Sequence, residues 1–373
     1  MMDDEKYMSN LVIVNATALA SSGALTILNQ FLEHALNDSK HKYLCFIHES
    51  VKKKSINNVT VISIKKQGFI QRVWWDLYGL NKYIKKNNLK PKKIVSLQNT
   101  SVNSNFEQII YLHQPIPFSN FRIKIKFQYV IFFMYKYVYP FFIFFRTKNT
   151  TFVVQTDWMK DAIVAKKKIA KERVHVIKPD IILPVNNLAY PDEHDKDNSS
   201  EVFFLYPATP LFYKNHLIIL DAMRILKTEG ILANTKFQVT FKQDDNDELA
   251  IKIAKYDLVD NISFLGVLSY EELFHKYLKA DAILFPSYLE SFGLPLAEGA
   301  MLGKYIICSD LPYARDVLNN YSNVEYINHD DASKWALAMK EIILKNRNNT
   351  LSESENSYMY CPKTSWADFF ELI

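Results

Sequence analysis

Apolar positions along the chain follow two alternating rhythms. Short apolar runs fit strands buried on both faces. Between them lie stretches with apolar residues every three or four positions, the spacing of a helix. Residues 11–14 form the first run, and the small-residue turn Ala20-Ser21-Ser22-Gly23 follows. Residues 24–36 then set Leu25, Leu28, Phe31, Leu32, Ala35 and Leu36 on one helical face. A strand, a small-residue loop and a helix open a doubly wound parallel sheet. Further strands are predicted at 43–47, 59–64, 93–97, 109–113, 152–155 and 174–177, with helices at 72–85 and 158–169.

Residues 184–201, PVNNLAYPDEHDKDNSSE, carry two prolines and neither rhythm, and read as a linker. The alternation then resumes. Strands are predicted at 202–206, 237–241, 262–264, 282–285 and 305–308, and helices at 216–229, 248–256, 270–278, 295–302 and 332–345. Ser269 with Glu272 three positions on is a capping box for the helix at 270. The expected fold class is α/β, with one domain at 1–183, a linker at 184–201, a second domain at 202–350 and a tail at 351–373 that ends in a helix.

A chain of 373 residues fits two domains of about 100–200 residues each. With 49% hydrophobic and 23% charged residues, extended disorder, collagen-like repeats and a long coiled coil are excluded. The net charge of +5 is too small to point to nucleic acid. Lysines do crowd the first half, as in Lys52, Lys53, Lys54, Lys65 and Lys66, which fits either solvated surface or a face toward an anionic membrane. Cys45, Cys308 and Cys361 lie far apart without metal-site spacing. The first two sit in apolar runs and read as core, and the set fits a reducing compartment. The N-terminus, MMDDEKYMSN, has no apolar signal region, so a cytoplasmic location is expected.

The aromatic excess, 25 Phe and 22 Tyr, gathers in one place: residues 127–145 read FQYVIFFMYKYVYPFFIFF. The run is long enough to be tested as a membrane span. Lys136 and Pro140 near its middle argue against spanning, as does its position inside the first α/β domain. Arg122, Lys124 and Lys126 precede it, and Arg146 and Lys148 follow. Either it forms buried helices, or it is a monotopic surface where Phe141, Phe142 and the basic flanks meet an anionic interface. A mixture places one face in the core and the other outside.

The chemistry concentrates in residues 280–317. The strand at 282–285 ends at Pro286, and a loop then holds Ser287, Tyr288 and Glu290. Ser291-Phe292-Gly293-Leu294 leads into Pro295, expected as the first helical residue. Free N–H groups and the helix dipole make this an anion site suited to a diphosphate. Gly293 allows close backbone approach. Glu298, expected in the first helical turn, and Glu290 flank the site, and each carboxylate can accept two hydroxyl hydrogen bonds.

This segment resembles the retaining glycosyltransferases of the GT-B fold, specifically glycosyltransferase family 4. The resemblance rests on Glu290-x7-Glu298 with Phe292-Gly293-Leu294-Pro295 between, on Phe264-Leu265-Gly266 before Glu271-Glu272-Leu273, on Ala280-Asp281, and on the run from Gly303 to Asp310. It implies two Rossmann-like domains facing across a cleft. It implies transfer of a hexosyl group from a nucleotide diphosphate sugar to an acceptor hydroxyl with retention. By position, Glu290 would contact donor-sugar hydroxyls, the backbone at Phe292, Gly293 and Leu294 would face sugar and diphosphate, and Glu298 would hold the ribose. Lys214 matches the lysine that neutralises the leaving diphosphate, an electrostatic role. Ala208 and Thr209 stand where the family has a Gly-Arg pair. Ser22-Gly23 match the loop that approaches the donor phosphate. His113, at the carboxyl end of a strand, would line the cleft beside the sugar. Thr156-Asp157 match the start of another family helix, and Ser365-Trp366 its last helix.

The resemblance implies no bound metal or cofactor, and no Asp-x-Asp pair stands against that: the acidic residues 244–247 lie in a polar loop. The leaving phosphate itself would serve as base. The acceptor would be a lipid-linked glycan of bacterial O-antigen or capsule synthesis, with the protein peripheral at the inner face of the cytoplasmic membrane. Two alternatives stay open: a soluble transferase with a small-molecule or protein acceptor, and a catalytically degenerate sugar-binding protein of the same fold.

Overall fold

The computed structural model describes residues 10–120, 130–183, 201–348 and 364–373. Two compact units emerge, Met1–Asp180 with Pro362–Ile373, and Ile181–Cys361. Each is built on one parallel sheet. In the first, β1 (Leu11–Ala16), β2 (Lys42–His48), β3 (Val59–Ile64), β4 (Lys93–Ser96), β5 (Glu107–Leu112), β6 (Thr150–Val154) and β7 (Val174–Val176) lie in the order β3-β2-β1-β4-β5-β6-β7. In the second, β8 (Val202–Tyr206), β9 (Thr235–Val239), β10 (Ile262–Phe264), β11 (Ala282–Phe285), β12 (Tyr305–Ser309) and β13 (Val324–Ile327) lie in the order β10-β9-β8-β11-β12-β13.

Helices cover both faces of these sheets, which is why the strands read as unbroken apolar runs. In the first unit, strand alternation sends Val12, Val14 and Cys45 to one face, where Phe31 and Trp366 pack. It sends Ile13, Phe46 and Ile94 to the other, against Trp75 and Leu80. The C-terminal helix Trp366–Glu371 belongs to this first unit. Trp366 stacks on Tyr111 at 5.3 Å, and its indole N–H donates to Gln30 Oε1 at 2.9 Å. Cys45 and Cys308 are fully buried in the two cores.

Both sheets reverse their winding beside their first strand, between β1 and β4 and between β8 and β11. The loops after these strands converge at the carboxyl edge, where open α/β sheets bind ligands. That placement is what the fold contributes to function.

Several elements depart from the sequence expectation. The helix expected at 72–85 comes in three parts: Phe69–Trp74, a π turn at Trp75–Gly79, and Leu80–Lys86. The wider turn buries Trp75 and Asp76 together. Gly79 is required there, because a Cβ would lie 2.8 Å from the Trp75 ring. A short helix, Pro312–Val317, and β13 were not expected. β13 is half-buried at three of its four positions, so its sequence shows no apolar run.

The aromatic stretch is helical through Val130–Phe133, a π turn Met134–Val138, and Tyr139–Ile143. Ile143 is buried with Phe118 and Phe152, while Phe141 is 61% exposed. Among the described residues no helix is long and apolar enough to cross a membrane. Arg122, Lys124 and Lys126 lie outside the described residues, as do linker residues 184–200 and residues 349–363.

Candidate functional site

In the C-terminal unit, the loop after β8 carries Lys214 and the loop after β11 carries Glu290. They are 76 residues apart, yet Lys214 Nζ lies 2.5 Å from Glu290 Oε1. The pair is largely withdrawn from solvent, with side chains 16% and 11% exposed. Two charges so placed need fixed geometry, since removing one partner strands the other in low dielectric.

The two loops are tied together to supply that geometry. Asn215 adopts the left-handed region at φ 59°, where Asn is among the tolerated residues. Its side-chain amide donates to Pro286 O at 3.2 Å and His329 O at 2.7 Å. Tyr288 N donates to Tyr213 O at 2.9 Å. Tyr206 donates its hydroxyl to Lys214 O at 3.0 Å, and Tyr313 to Ser287 O at 2.5 Å. Behind Lys214, His216 is buried against Tyr206 at 4.6 Å, and burial pushes its pKa down to about 3. It stays neutral beside the lysine.

Gly293 carries φ 94°, which only glycine adopts freely. A Cβ there would meet Leu296 Cδ1 at 3.3 Å and the Phe285 ring at 3.5 Å. The helix it starts runs Leu294–Met301. Pro295 is therefore the second helical residue rather than the first, and it offers no N–H. Leu294 N–H stands at the helix start as a backbone donor. Phe292 is buried in the turn that precedes them.

Glu298 sits in the second turn of this helix, not the first, because the helix begins at Leu294. It faces inward, 8% exposed, and burial raises its pKa. Tyr277 donates to Oε2 at 2.6 Å. Tyr270 comes within 3.4 Å of Oε1, but it has one hydroxyl proton and a 2.8 Å acceptor in Ile182 O. Oε1 thus keeps capacity for a further donor. Nothing in the sequence pattern linked these tyrosines to Glu298.

The remaining candidates belong to the N-terminal unit. Ser22 and Gly23 open the helix Ser22–Asn37 just beyond β1. His113 follows β5. Its backbone N–H donates to Asn99 Oδ1 at 2.6 Å, and Gln114 N–H to the same oxygen at 3.0 Å. Ring Nε2 lies 2.9 Å from Leu97 O and 3.1 Å from Asn99 Nδ2. A proton on Nε2 satisfies the carbonyl, which can only accept, and leaves Nδ1 as an acceptor. Burial lowers the ring's pKa, so it is neutral at pH 7.

Thr156 is the N-cap of the helix Asp157–Lys167 without a side-chain capping bond. Ala208 is buried and Thr209 exposed. In the acidic stretch 244–247, Asp245 and Asn246 are capping groups. Asp245 accepts from Lys242 N at 2.8 Å, and Asn246 from Leu249 N at 2.9 Å. Among the described residues, no group of three or more His, Cys, Asp or Glu side chains could hold a metal ion.

Residues 191–358 match the family model for glycosyl transferases group 1. The O-antigen chain mannosyltransferase RfbU of Salmonella typhimurium is 26% identical over 261 residues, 67% of this chain and 65% of that protein. The chain thus aligns with less than two thirds of the length of the curated relatives it matches. Among solved structures, WaaG, a glycosyltransferase involved in lipopolysaccharide biosynthesis, matches with TM-score 0.65 at 12% identity, covering 91% of this chain and 93% of WaaG. Anabaena HepE in complex with UDP and glucose matches with TM-score 0.63 at 11% identity, covering 94% and 93%. The two parallel-sheet Rossmann-like units have the GT-B fold of these structures, and residues 191–358 carry the similarity to glycosyl transferases group 1.

Proposed function

We propose that the chain is a retaining glycosyltransferase that moves a hexosyl group from a nucleotide diphosphate sugar to a lipid-linked glycan in O-antigen or related surface-polysaccharide synthesis. The observation that carries this reading is the Lys214–Glu290 pair at the switch point of the C-terminal sheet, with Gly293 and Glu298 following on one strand-loop-helix unit. As the bond from sugar to diphosphate breaks, negative charge grows on the leaving phosphate. The Lys214 ammonium and the backbone donors at Leu294 stabilise it without reorganising. Glu290 accepts hydroxyls of the sugar, and Glu298 accepts those of the ribose through Oε1. The departing phosphate takes the acceptor proton. On this reading the donor needs no metal, because Lys214 and the helix start meet its charge.

The names of the relatives, an O-antigen chain mannosyltransferase and a lipopolysaccharide glycosyltransferase, support the acceptor class. Contact with an anionic membrane is supported by a surface of the N-terminal unit. Phe141 is exposed, and so are Ile70, Trp74 and Tyr78 at four-residue spacing along the π-turn helix. The Phe69 and Phe142 rings meet at 6.4 Å and join the two segments. Lys65 and Lys66 stand exposed beside them. Vesicle flotation tests this: Trp74→Ser with Phe141→Ser should reduce binding to anionic vesicles severalfold. Unchanged partitioning of a folded variant removes the membrane reading. For the chemistry, Lys214→Met and Glu290→Gln should each lower transfer from the donor that wild type uses by about a hundredfold or more, and transfer at the wild-type rate overturns the site.

A further inference from the structure

Asp76 is a buried carboxylate that the proposed chemistry does not use. It is 4% exposed and sits on the π turn Trp75–Gly79. It makes no ion pair among the described residues. The field of Arg72, one turn back, reaches it without a hydrogen bond between them. Instead it accepts three neutral side-chain donors: Asn15 Nδ2 at 2.8 Å and Gln98 Nε2 at 2.8 Å on Oδ1, and Thr100 Oγ1 at 2.7 Å on Oδ2. Trp75, its neighbour, donates its indole N–H to Asn15 Oδ1 at 3.1 Å. An unpaired buried charge is expensive to keep unless its partners are specific and complete.

These partners all lie at one place in the fold. Asn15 is near the end of β1, and Gln98 and Thr100 follow β4, so Asp76 clamps the switch point of the N-terminal sheet from below. From there the bonds run on to both candidate groups of this unit. Gln98 Oε1 accepts from Thr17 Oγ1 at 3.0 Å and from Ala18 N–H at 3.1 Å, which fixes the loop that leads to Ser22 and Gly23. Asn99, held between Gln98 and Thr100, fixes the backbone at His113 and Gln114. One carboxylate therefore sets two loops, one 80 residues before Gln98 and one 14 residues after Asn99.

We propose that Asp76 is a positioning residue for glycosyl transfer: through Gln98, Thr100 and Asn99 it holds the loop that leads to Ser22 and Gly23, and His113, in the geometry that turnover requires. This rests on the reading of the chain as a glycosyltransferase. The π turn is what makes it possible, since it directs Asp76 inward beside Trp75; π turns of this kind recur at functional sites.

The geometry distinguishes substitutions at this position. In Asp76→Asn, the amide oxygen can still accept from Asn15 and Gln98, while its NH2 faces Thr100, whose hydroxyl can turn to accept. Asp76→Ala leaves three donors unpaired. The experiment is steady-state transfer together with calorimetric binding of the nucleoside diphosphate, for wild type, Asp76→Ala, Asp76→Asn and Gln98→Met. Nucleotide binding depends on the C-terminal unit and should stay within about twofold throughout. Turnover should fall at least tenfold in Asp76→Ala and in Gln98→Met, and stay within about threefold of wild type in Asp76→Asn. If Asp76→Ala does not fold, Gln98→Met carries the same test, because it cuts the link to Thr17 and Ala18 and leaves Asp76 in place. Nucleotide binding with unchanged turnover in a folded Asp76→Ala or Gln98→Met overturns the positioning role. A wild type that binds no nucleoside diphosphate overturns the underlying reading of function instead.

Discussion

The two α/β units place loops at the same point of the same kind of sheet and stabilise them by opposite means. In the C-terminal unit, the switch-point loops meet through a charged pair, Lys214 and Glu290, and the next helix adds a second buried carboxylate. In the N-terminal unit, the equivalent loops meet through amides and hydroxyls gathered on Asp76. Full charges suit a site that meets a charged diphosphate, because a preorganised cation acts where charge develops. In the N-terminal unit a single buried carboxylate is met by neutral donors, which fix its geometry without a counter-charge. The same topology thus carries an ion pair in one unit and a carboxylate held by neutral donors in the other.

The comparison can be broken most directly at Lys214. Lys214→Met should lower kcat by about a hundredfold or more, in line with loss of one transition-state donor. Glu290 is then left buried without its cation, so stability should drop by about 3–5 kcal/mol as well. A variant with normal kcat would remove the electrostatic half of the contrast; steady-state kinetics and urea unfolding measure the two effects.

A pH series tests the N-terminal half. Burial raises the pKa of Asp76 from 3.8 to about 6. Between those values the native state holds a proton that the unfolded chain has lost, so stability falls as pH rises through that window. The loss amounts to about 3 kcal/mol at 1.36 kcal/mol per unit. It should appear as a difference between wild type and Asp76→Asn that grows from pH 4 to pH 7 in urea unfolding. Parallel curves would show that Asp76 is not the buried acid described.

Gly293→Ala should have a smaller effect. The left-handed backbone costs an L-residue about 1–2 kcal/mol, and the added methyl presses on Leu296. Melting of the C-terminal unit should move down by a few degrees. An unchanged transition would mean that the turn does not need its glycine.

Much of the first contrast is legible along the chain. Glu290, Gly293 and Glu298 are spaced by a strand, a loop and a helix, and Lys214 follows the first strand of its unit. Apolar runs and helical spacing located most strands and helices, because burial on both faces leaves continuous signals. The N-terminal network is illegible for a physical reason. Asn15, Gln98 and Thr100 are short polar residues at strand ends, where such residues occur for many purposes, and only the fold brings them onto one carboxylate. The π turn at Trp75–Gly79 breaks the 3.6-residue period that the helical pattern assumes. Tyr277 and Tyr270 reach Glu298 from another helix, a pairing that periodicity along one segment does not encode. The tight turn also shifts the helix start to Leu294, which moves Glu298 out of the first turn.

The central claim is that the C-terminal unit binds a nucleotide diphosphate sugar on Lys214, Glu290 and the helix that begins at Leu294. Thermal unfolding of wild type and Lys214→Met, with EDTA present, against UDP-, GDP- and dTDP-sugars tests it most directly, because a ligand that binds the native state raises its apparent stability. At least one of these sugars should raise the melting temperature of wild type by several degrees and leave Lys214→Met unmoved. No shift with any of them, or equal shifts in both proteins, contradicts the account.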